Sequence, residues 1–181
     1  MFDEEVLIGQ LKNPQTREAS YRILVSTHKE RLYWHIRKIV LNHEDTDDIL
    51  QNTFIKVFKH IDSFKGDSKL YSWMYRIATN ESITFLNKKA KQMNTGLTEL
   101  QEQRVQNLKA DIHFDGDEIQ LKLQKAIISL PQKQQLVFNM RYFDEMKYQE
   151  ISDILDTSVG ALKASYHHAR KKIESLLVIT D

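Results

Sequence analysis

Apolar side chains recur at spacings of three and four along most of this chain, the period of helices that bury one face. The first stripe runs through Tyr21, Leu24, Val25, His28, Leu32, His35, Ile36 and Ile39. A second lies in "NHEDTDDILQNTFIKVFKHI", where Leu50, Phe54, Val57, Phe58 and Ile61 repeat and Asn42, Asp45 or Thr46 can cap the start. Asp47 and Asp48 fall in its first turn, where the helix dipole favours carboxylates. "DSFKGDSK" then breaks the pattern as a loop around Gly66. A third helix is predicted from about Leu70 to Lys91, with Leu70, Trp73, Met74, Ile77, Ala78 and Phe85 inward and a basic end at Lys88, Lys89 and Lys91.

After residue 92 the periodicity fades through "MNTGLTELQEQRVQNLKADIHFDGD". It resumes at Ile119, Leu123, Ile127 and Leu130 and stops at Pro131, a residue suited to the first position of the next helix. That helix repeats Leu136, Val137, Met140 and Phe143. A short helix with Tyr148, Ile151 and Leu155 inward leads through "DTS" to a last one, striped by Val159, Leu162, Tyr166, Ala169, Ile173 and Leu176.

Composition agrees with helices: 5 Gly and 2 Pro in 181 residues leave little material for a many-turned sheet. The length allows two small domains, and charge divides the chain in the same places as periodicity. Residues 1–92 hold 15 Lys/Arg against 12 Asp/Glu, residues 93–117 hold 2 against 5, and residues 118–181 hold 9 against 8. The expectation is therefore an all-α chain of two helical domains, 1–92 and 118–181, joined by a flexible acidic linker, 93–117. A formal net charge of +1 gives no argument for a nucleic-acid partner, which has to come from where the charges lie. The absence of Cys rules out disulfide scaffolds and thiolate zinc sites. The acidic, interrupted start "MFDEEVLIGQLKN" is not a signal peptide, and no long apolar run spans a membrane, so a soluble cytoplasmic protein is expected.

Three surfaces and one acidic cluster can carry chemistry. "YQEISDIL" and "SVGALKASYHHAR" have the length and turn of a helix-turn-helix, with Ala161, Lys163, Ala164, His167, His168 and Lys171 outward on the second helix. Arg170, Lys171 and Lys172 can neutralise phosphates, although a solvated hairpin would look the same. Lys65, Lys69, Tyr71, Trp73, Tyr75, Arg76, Asn80, Lys88, Lys89 and Lys91 interleave rings with cations, which suits unstacked single-stranded bases. The bland alternative makes Trp73 core and the lysines a favourable helix end. Asp48, Gln51, Asn52, Ile55, Lys56 and Lys59 form either a docking face or a wet one. "HEDTDD" could serve a metal hydrolase, but the position four residues after His43 is Asp47 rather than a second His. His167 and His168 diverge by about 100° on a helix and share a metal poorly. An enzyme, a metal and a cofactor are therefore not expected.

Taken together, "DTDDILQNTFIKVFKHIDSFKGDSKLYSWMYRIATNESITFL" and "LQKAIISLPQKQQLVFNMRYFDEMKYQEISDILDTSVGALKASYHHARKKIESLL" resemble regions 2 and 4 of the extracytoplasmic-function (ECF) sigma factors of the sigma-70 family. The resemblance covers nearly the whole chain, in the family's order and spacing. It implies a factor that binds core RNA polymerase through the β′ clamp helices and β flap, selects promoter DNA and helps to open it. On that basis Asp48, Gln51, Asn52, Phe54 and Ile55 dock on the polymerase. Phe64, Lys65, Gly66, Lys69, Trp73, Tyr75, Arg76, Asn80 and Lys88 capture the minus-ten strand. Lys163, Ala164, His167, His168, Arg170 and Lys171 address the minus-thirty-five element, and the acidic linker runs through the polymerase cleft. An anti-sigma factor, often membrane-bound in this family, is an implied partner. The sequence departs from the family where arginines are common around Ala164, Ser165, His167 and His168, and at Thr84, where Asp is frequent. A helix-turn-helix regulator acting without polymerase is the alternative reading.

Overall fold

The computed structural model describes residues 4–108 and 116–178, and its regular elements there are all helical. Helices α1 (Glu4–Lys12), α2 (Arg17–Val40), α3 (His43–His60) and α4 (Leu70–Gln92) form the first half, with a 3-10 turn at Ile61–Ser63 between α3 and α4. Helix α5 (Leu97–Asn107) follows. The second half contains α6 (Glu118–Ile128), α7 (Gln132–Phe138), a π-helical turn at Asn139–Phe143, α8 (Tyr148–Leu155) and α9 (Val159–Val178).

Local chemistry sets where these helices begin and end. Of the three candidate caps on α3, Asn42 does the capping: its side-chain oxygen accepts from the Asp45 N–H at 2.9 Å. Asp117 caps α6 in the same way, accepting from the Gln120 N–H at 2.9 Å. Pro131 stands one residue ahead of α7 rather than in its first turn. Asp156 ends α8 with φ of 49°, a left-handed conformation that a short polar side chain tolerates, and this makes the turn of the helix-turn-helix.

Helix α1 was not foreseen from the sequence, because its apolar run is broken by Gly9 and Gln10; Leu7 and Leu11, one turn apart, are its buried pair. It fixes the loop that follows α3. Glu4 accepts from the Leu70 N–H at 2.9 Å, and Lys12 donates to the Phe64 carbonyl at 2.7 Å. Just after α1, Arg17 pairs with Asp62 at 2.6 Å. Gly66, with φ of 82°, supplies the reversal that this loop requires.

The core is shared by the two halves. Leu24, Leu32, Ile36, Val57, Met74 and Ala78 pack continuously with Val137, Met140, Met146, Ile151 and Ile154, with α8 lying on α4 and the π-helical turn against α2. Ile49 is buried on α3, whereas Phe58 is half-exposed and leans edge-on against Tyr21. On α4, Tyr75 and Leu86 are buried while Trp73 and Phe85 are only partly so.

The acidic stretch is less of a free tether than its composition implies. Its α5 buries Leu100, Gln101, Arg104 and Val105 on one side. Two of those four are polar, which is why an apolar pattern did not reveal the helix. Val105 and Leu108 complete a small cluster with Leu41 from the first half and Leu121 and Ile128 from the second. Residues 109–115 of the stretch lie outside the described residues.

Arg104 also carries charge into this junction. It pairs with Asp45 at 2.6 Å and donates to the Val40 carbonyl, while Lys89 meets the same carboxylate at 2.9 Å. Removing Arg104 leaves Asp45 with the more exposed Lys89 as its remaining cation and takes a donor from the Val40 carbonyl. Arg104→Ala is therefore expected to lower unfolding free energy by about 2 kcal/mol, measured by urea denaturation.

Candidate nucleic-acid interface

The rings and cations singled out on the loop and α4 separate into support and surface. Phe64 is buried, with its ring 5.2 Å from that of Trp73. Tyr75 is buried as well, its hydroxyl donating to the Arg31 carbonyl at 3.2 Å, and burial pushes its pKa up to about 12. These two side chains shape the site but cannot stack on a base. Lys65, Gly66, Lys69, Arg76, Asn80 and Lys88 are exposed, and Trp73 is half-buried beneath the loop. Between loop and helix lies a cavity of about 230 Å³, lined by Ser63, Phe64, Lys65, Asp67, Ser68, Trp73 and Arg76 on this side and by Asp153 of α8 on the other.

Helix α8 bonds directly to that surface. Lys69 pairs with Glu150 at 3.1 Å, and Arg76 donates through Nε to the Asp153 carbonyl at 3.0 Å. Burial opposes ionisation of Glu150, but the Tyr71 hydroxyl, the Lys147 N–H and Lys69 outweigh it and hold the carboxyl below its ordinary pKa. The Tyr71 phenol is pushed up in turn, by burial first and then by Glu150.

A buried polar group fastens the two halves farther along. His35, 1% exposed, lies within hydrogen-bonding range of the Thr79 hydroxyl at 2.8 Å and of the Asp144 carboxylate at 3.4 Å. Lys38 forms a short ion pair with the other Asp144 oxygen. Burial lowers the pKa of His35 more than Asp144 raises it, so the ring is neutral at neutral pH and Lys38 is the cation that balances Asp144. Burial alone would raise the Asp144 pKa, yet the contacts from His35 and Lys38 keep it below the ordinary carboxylate value. Sequence reading missed Asp144, Glu150 and Asp153, whose partners lie 109, 81 and 77 residues away. The one signal was a histidine within an apolar stripe.

The other two predicted surfaces are open. Asp48, Gln51, Asn52 and Ile55 are exposed along α3, with Ile55 42% accessible. Phe54 turns inward at 7%, so it supports this face from below and does not belong to it. On α9, Lys163, Ala164, His167, His168, Arg170 and Lys171 are all exposed. Ser158 accepts from the Ala161 N–H at 3.3 Å at the start of that helix, and Arg170 is paired with Glu174 at 2.6 Å. The His167 and His168 ring centroids are 5.9 Å apart, and among the described residues no group of three or more His, Cys, Asp or Glu is placed to hold a metal. No helix among those residues is long and apolar enough to cross a membrane.

Comparison with known proteins matches the two halves of the chain separately. The profile of Sigma-70 region 2 matches residues 24–92, and that of Sigma-70, region 4 matches residues 120–173. The ECF RNA polymerase sigma factor SigW of Bacillus subtilis is 30% identical over 162 residues, covering 85% of this chain and 87% of SigW. The chain belongs to the ECF sigma factors of the sigma-70 family. The ECF sigma-E factor of Escherichia coli K12 is 25% identical to this sigma factor over 180 residues, 95% of this chain and 93% of the relative. In fold, this sigma factor is similar to CnrH, solved in complex with the cytosolic domain of CnrY, at a TM-score of 0.71 and 20% identity over 98% of this chain and 99% of the other. It is also similar to RpoE from Bartonella quintana, solved with the anti-sigma factor NepR, at a TM-score of 0.66 and 18% identity over 89% and 98% of the two chains. In this sigma factor the region 2 match takes in α3, α4 and most of α2, and the region 4 match ends within α9.

The buried histidine has a pH signature. An unfolded His titrates near about 6.5, and His35 in the fold titrates lower, so below that pH the unfolded chain takes up protons that the fold refuses. Stability therefore falls as pH drops from about 7 to about 5.5. Asp144, with its depressed pKa, adds to the loss only in the acid range below about 4. His28 is lowered too, so the difference between variants isolates His35. The melting temperature followed by circular dichroism is expected to drop less over this range in His35→Gln than in the unmodified protein.

Proposed function

We propose that this chain directs core RNA polymerase to chosen promoters and helps to open them, without catalytic chemistry or a cofactor of its own. The observation that carries this reading is the order of the two sigma matches, each falling on elements whose outward residues suit the task. Helix α3 offers Asp48, Gln51, Asn52 and Ile55 to the β′ clamp helices, and the second half engages the β flap. Lys65, Gly66, Lys69, Trp73, Arg76, Asn80 and Lys88 surround the non-template strand of the minus-ten element, with Phe64 and Tyr75 as their support. Extruding a base costs roughly a few kcal/mol, which pocket contacts and stacking recover.

Helix α9 addresses the minus-thirty-five element through Lys163, Ala164, His167 and Lys171, with His168 and Arg170 at the edges of the same face. Small residues admit the groove floor, and histidine in place of arginine forgoes the bidentate contact to guanine. An anti-sigma factor is the expected regulator; the RpoE and CnrH relatives were both solved with a bound partner, named an anti-sigma factor in the case of RpoE. The protein acts in the cytoplasm and does not insert into membrane.

Transcription in vitro with purified core polymerase and a pool of genomic fragments is the test. Promoter-specific start sites are expected only when both proteins are present, whereas tight duplex binding without polymerase and no specific transcript would indicate an independent regulator. Lys163→Ala is expected to weaken binding of the holoenzyme to minus-thirty-five duplex about fivefold while leaving affinity for core polymerase unchanged, both read by fluorescence anisotropy.

A further inference from the structure

We propose that Glu4 and Lys12 are positioning residues for strand capture: from α1 they hold the two ends of the loop that carries Lys65 and Gly66, and so fix the shape in which it meets an extruded base. The proposal rests on the reading of this loop and α4 as the minus-ten site. The loop has few ties of its own. Among the described residues, Lys65, Gly66, Asp67 and Ser68 make no backbone–backbone hydrogen bond. The helix that follows starts equally bare: Lys69 stands at the N-cap of α4 with no side-chain bond to the first turn, and that turn holds no acid.

Helix α1 supplies what is missing at each end. On the α4 side, the Glu4 carboxylate accepts from the Leu70 N–H at 2.9 Å, so a residue 66 positions away caps the helix and sets a negative charge at the positive end of its dipole. On the α3 side, Lys12 donates to the carbonyl of Phe64 at 2.7 Å, and the Phe64 ring lies 5.2 Å from that of Trp73 in the wall of the cavity. Arg17 fastens α1 itself, donating to the Leu11 carbonyl at 2.8 Å while it pairs with Asp62 at 2.6 Å. Leu7 and Leu11 share one apolar cluster with Ile61, Phe64 and Leu70, which seats α1 under both shoulders of the loop. Neither Glu4 nor Lys12 lines the cavity, so each acts through the backbone it holds. A loop kept in its receiving shape loses less conformational freedom when a base enters, and a fixed wall separates bases that a mobile one accepts alike.

The test offers holoenzyme, assembled from the full chain and core polymerase, single-stranded DNA of about 12 nucleotides with a randomised centre, and sequences the bound fraction. The unmodified protein is expected to enrich particular bases. Glu4→Ala combined with Lys12→Met is expected to cut that enrichment about fivefold, the worth of a lost cap, with affinity for core polymerase unchanged. Glu4→Gln and Lys12→Arg keep an acceptor and a donor and are expected to retain the enrichment. Amide hydrogen exchange of the full chain is the second arm: the Leu70 N–H is expected to exchange about tenfold faster in the double variant, while the interior of α3 keeps its protection. Undiminished enrichment in a double variant that binds core polymerase normally, or an unaltered Leu70 N–H, would overturn the positioning and leave the minus-ten reading standing. Loss of protection in α3 as well would also overturn it, because the two side chains would then hold the fold rather than the loop. No enrichment by the unmodified holoenzyme would overturn the minus-ten reading and the proposal with it.

Discussion

Helix α4 is buried around more of its circumference than one neighbour can cover. Leu70, Ser72, Met74, Tyr75, Ala78, Thr79, Ser82, Leu86 and Ala90 are all enclosed, and at 100° per residue they wrap roughly 200° of the helix. A single packed helix covers a narrower stripe, so α4 is gripped by α2 and α3 from one direction and by α8 from another. What remains is a strip holding Lys69, Trp73, Arg76 and Asn80, and the position of α8 is set by the same packing that completes the core. The architecture of the second half on the first follows from this one oversubscribed helix.

Charge is spent where apolar packing leaves register undefined. Asp144 between His35 and Lys38, and Asp45 between Arg104 and Lys89, lie at junctions of segments distant in sequence. Buried pairs add little net stability over apolar substitutes, because desolvation consumes most of the attraction. They are intolerant of misalignment, however, since a carboxylate displaced from its cation stands alone in a low dielectric. Such pairs therefore penalise any arrangement in which Asp45 or Asp144 loses its cations.

The helices that carry the candidate sites were legible because they are amphipathic in the ordinary manner. The stripes through Leu24, Leu32 and Ile36 and through Leu162, Ala169 and Ile173 are buried as their spacing implied. Position on the stripe was less legible where aromatic side chains compete: the periodicity put Trp73 inward and read Tyr75 among the cations, and Tyr75 is the buried one. Helix α1 escaped notice because two leucines make too short a pattern, and α5 because Gln101 and Arg104 occupy half of its inner face. The docking of α8 on α4 was not legible at all. Glu150 and Asp153 read as ordinary solvated acids until the fold sets them beside Lys69 and Arg76.

The turn at Asp156 ends α8 and starts α9 within a few residues, so one short rigid hinge holds a covered helix beside an exposed one. Nucleic acid in a cell is a vast sink of weak sites, and every unpartnered cation on a protein adds to the time it spends there. By keeping Lys69 and Arg76 engaged internally, the fold withdraws part of its positive surface from that sink while its net charge stays at +1. The docking of α8 on α4 that completes the core therefore also sets how much positive charge the first half presents to solvent.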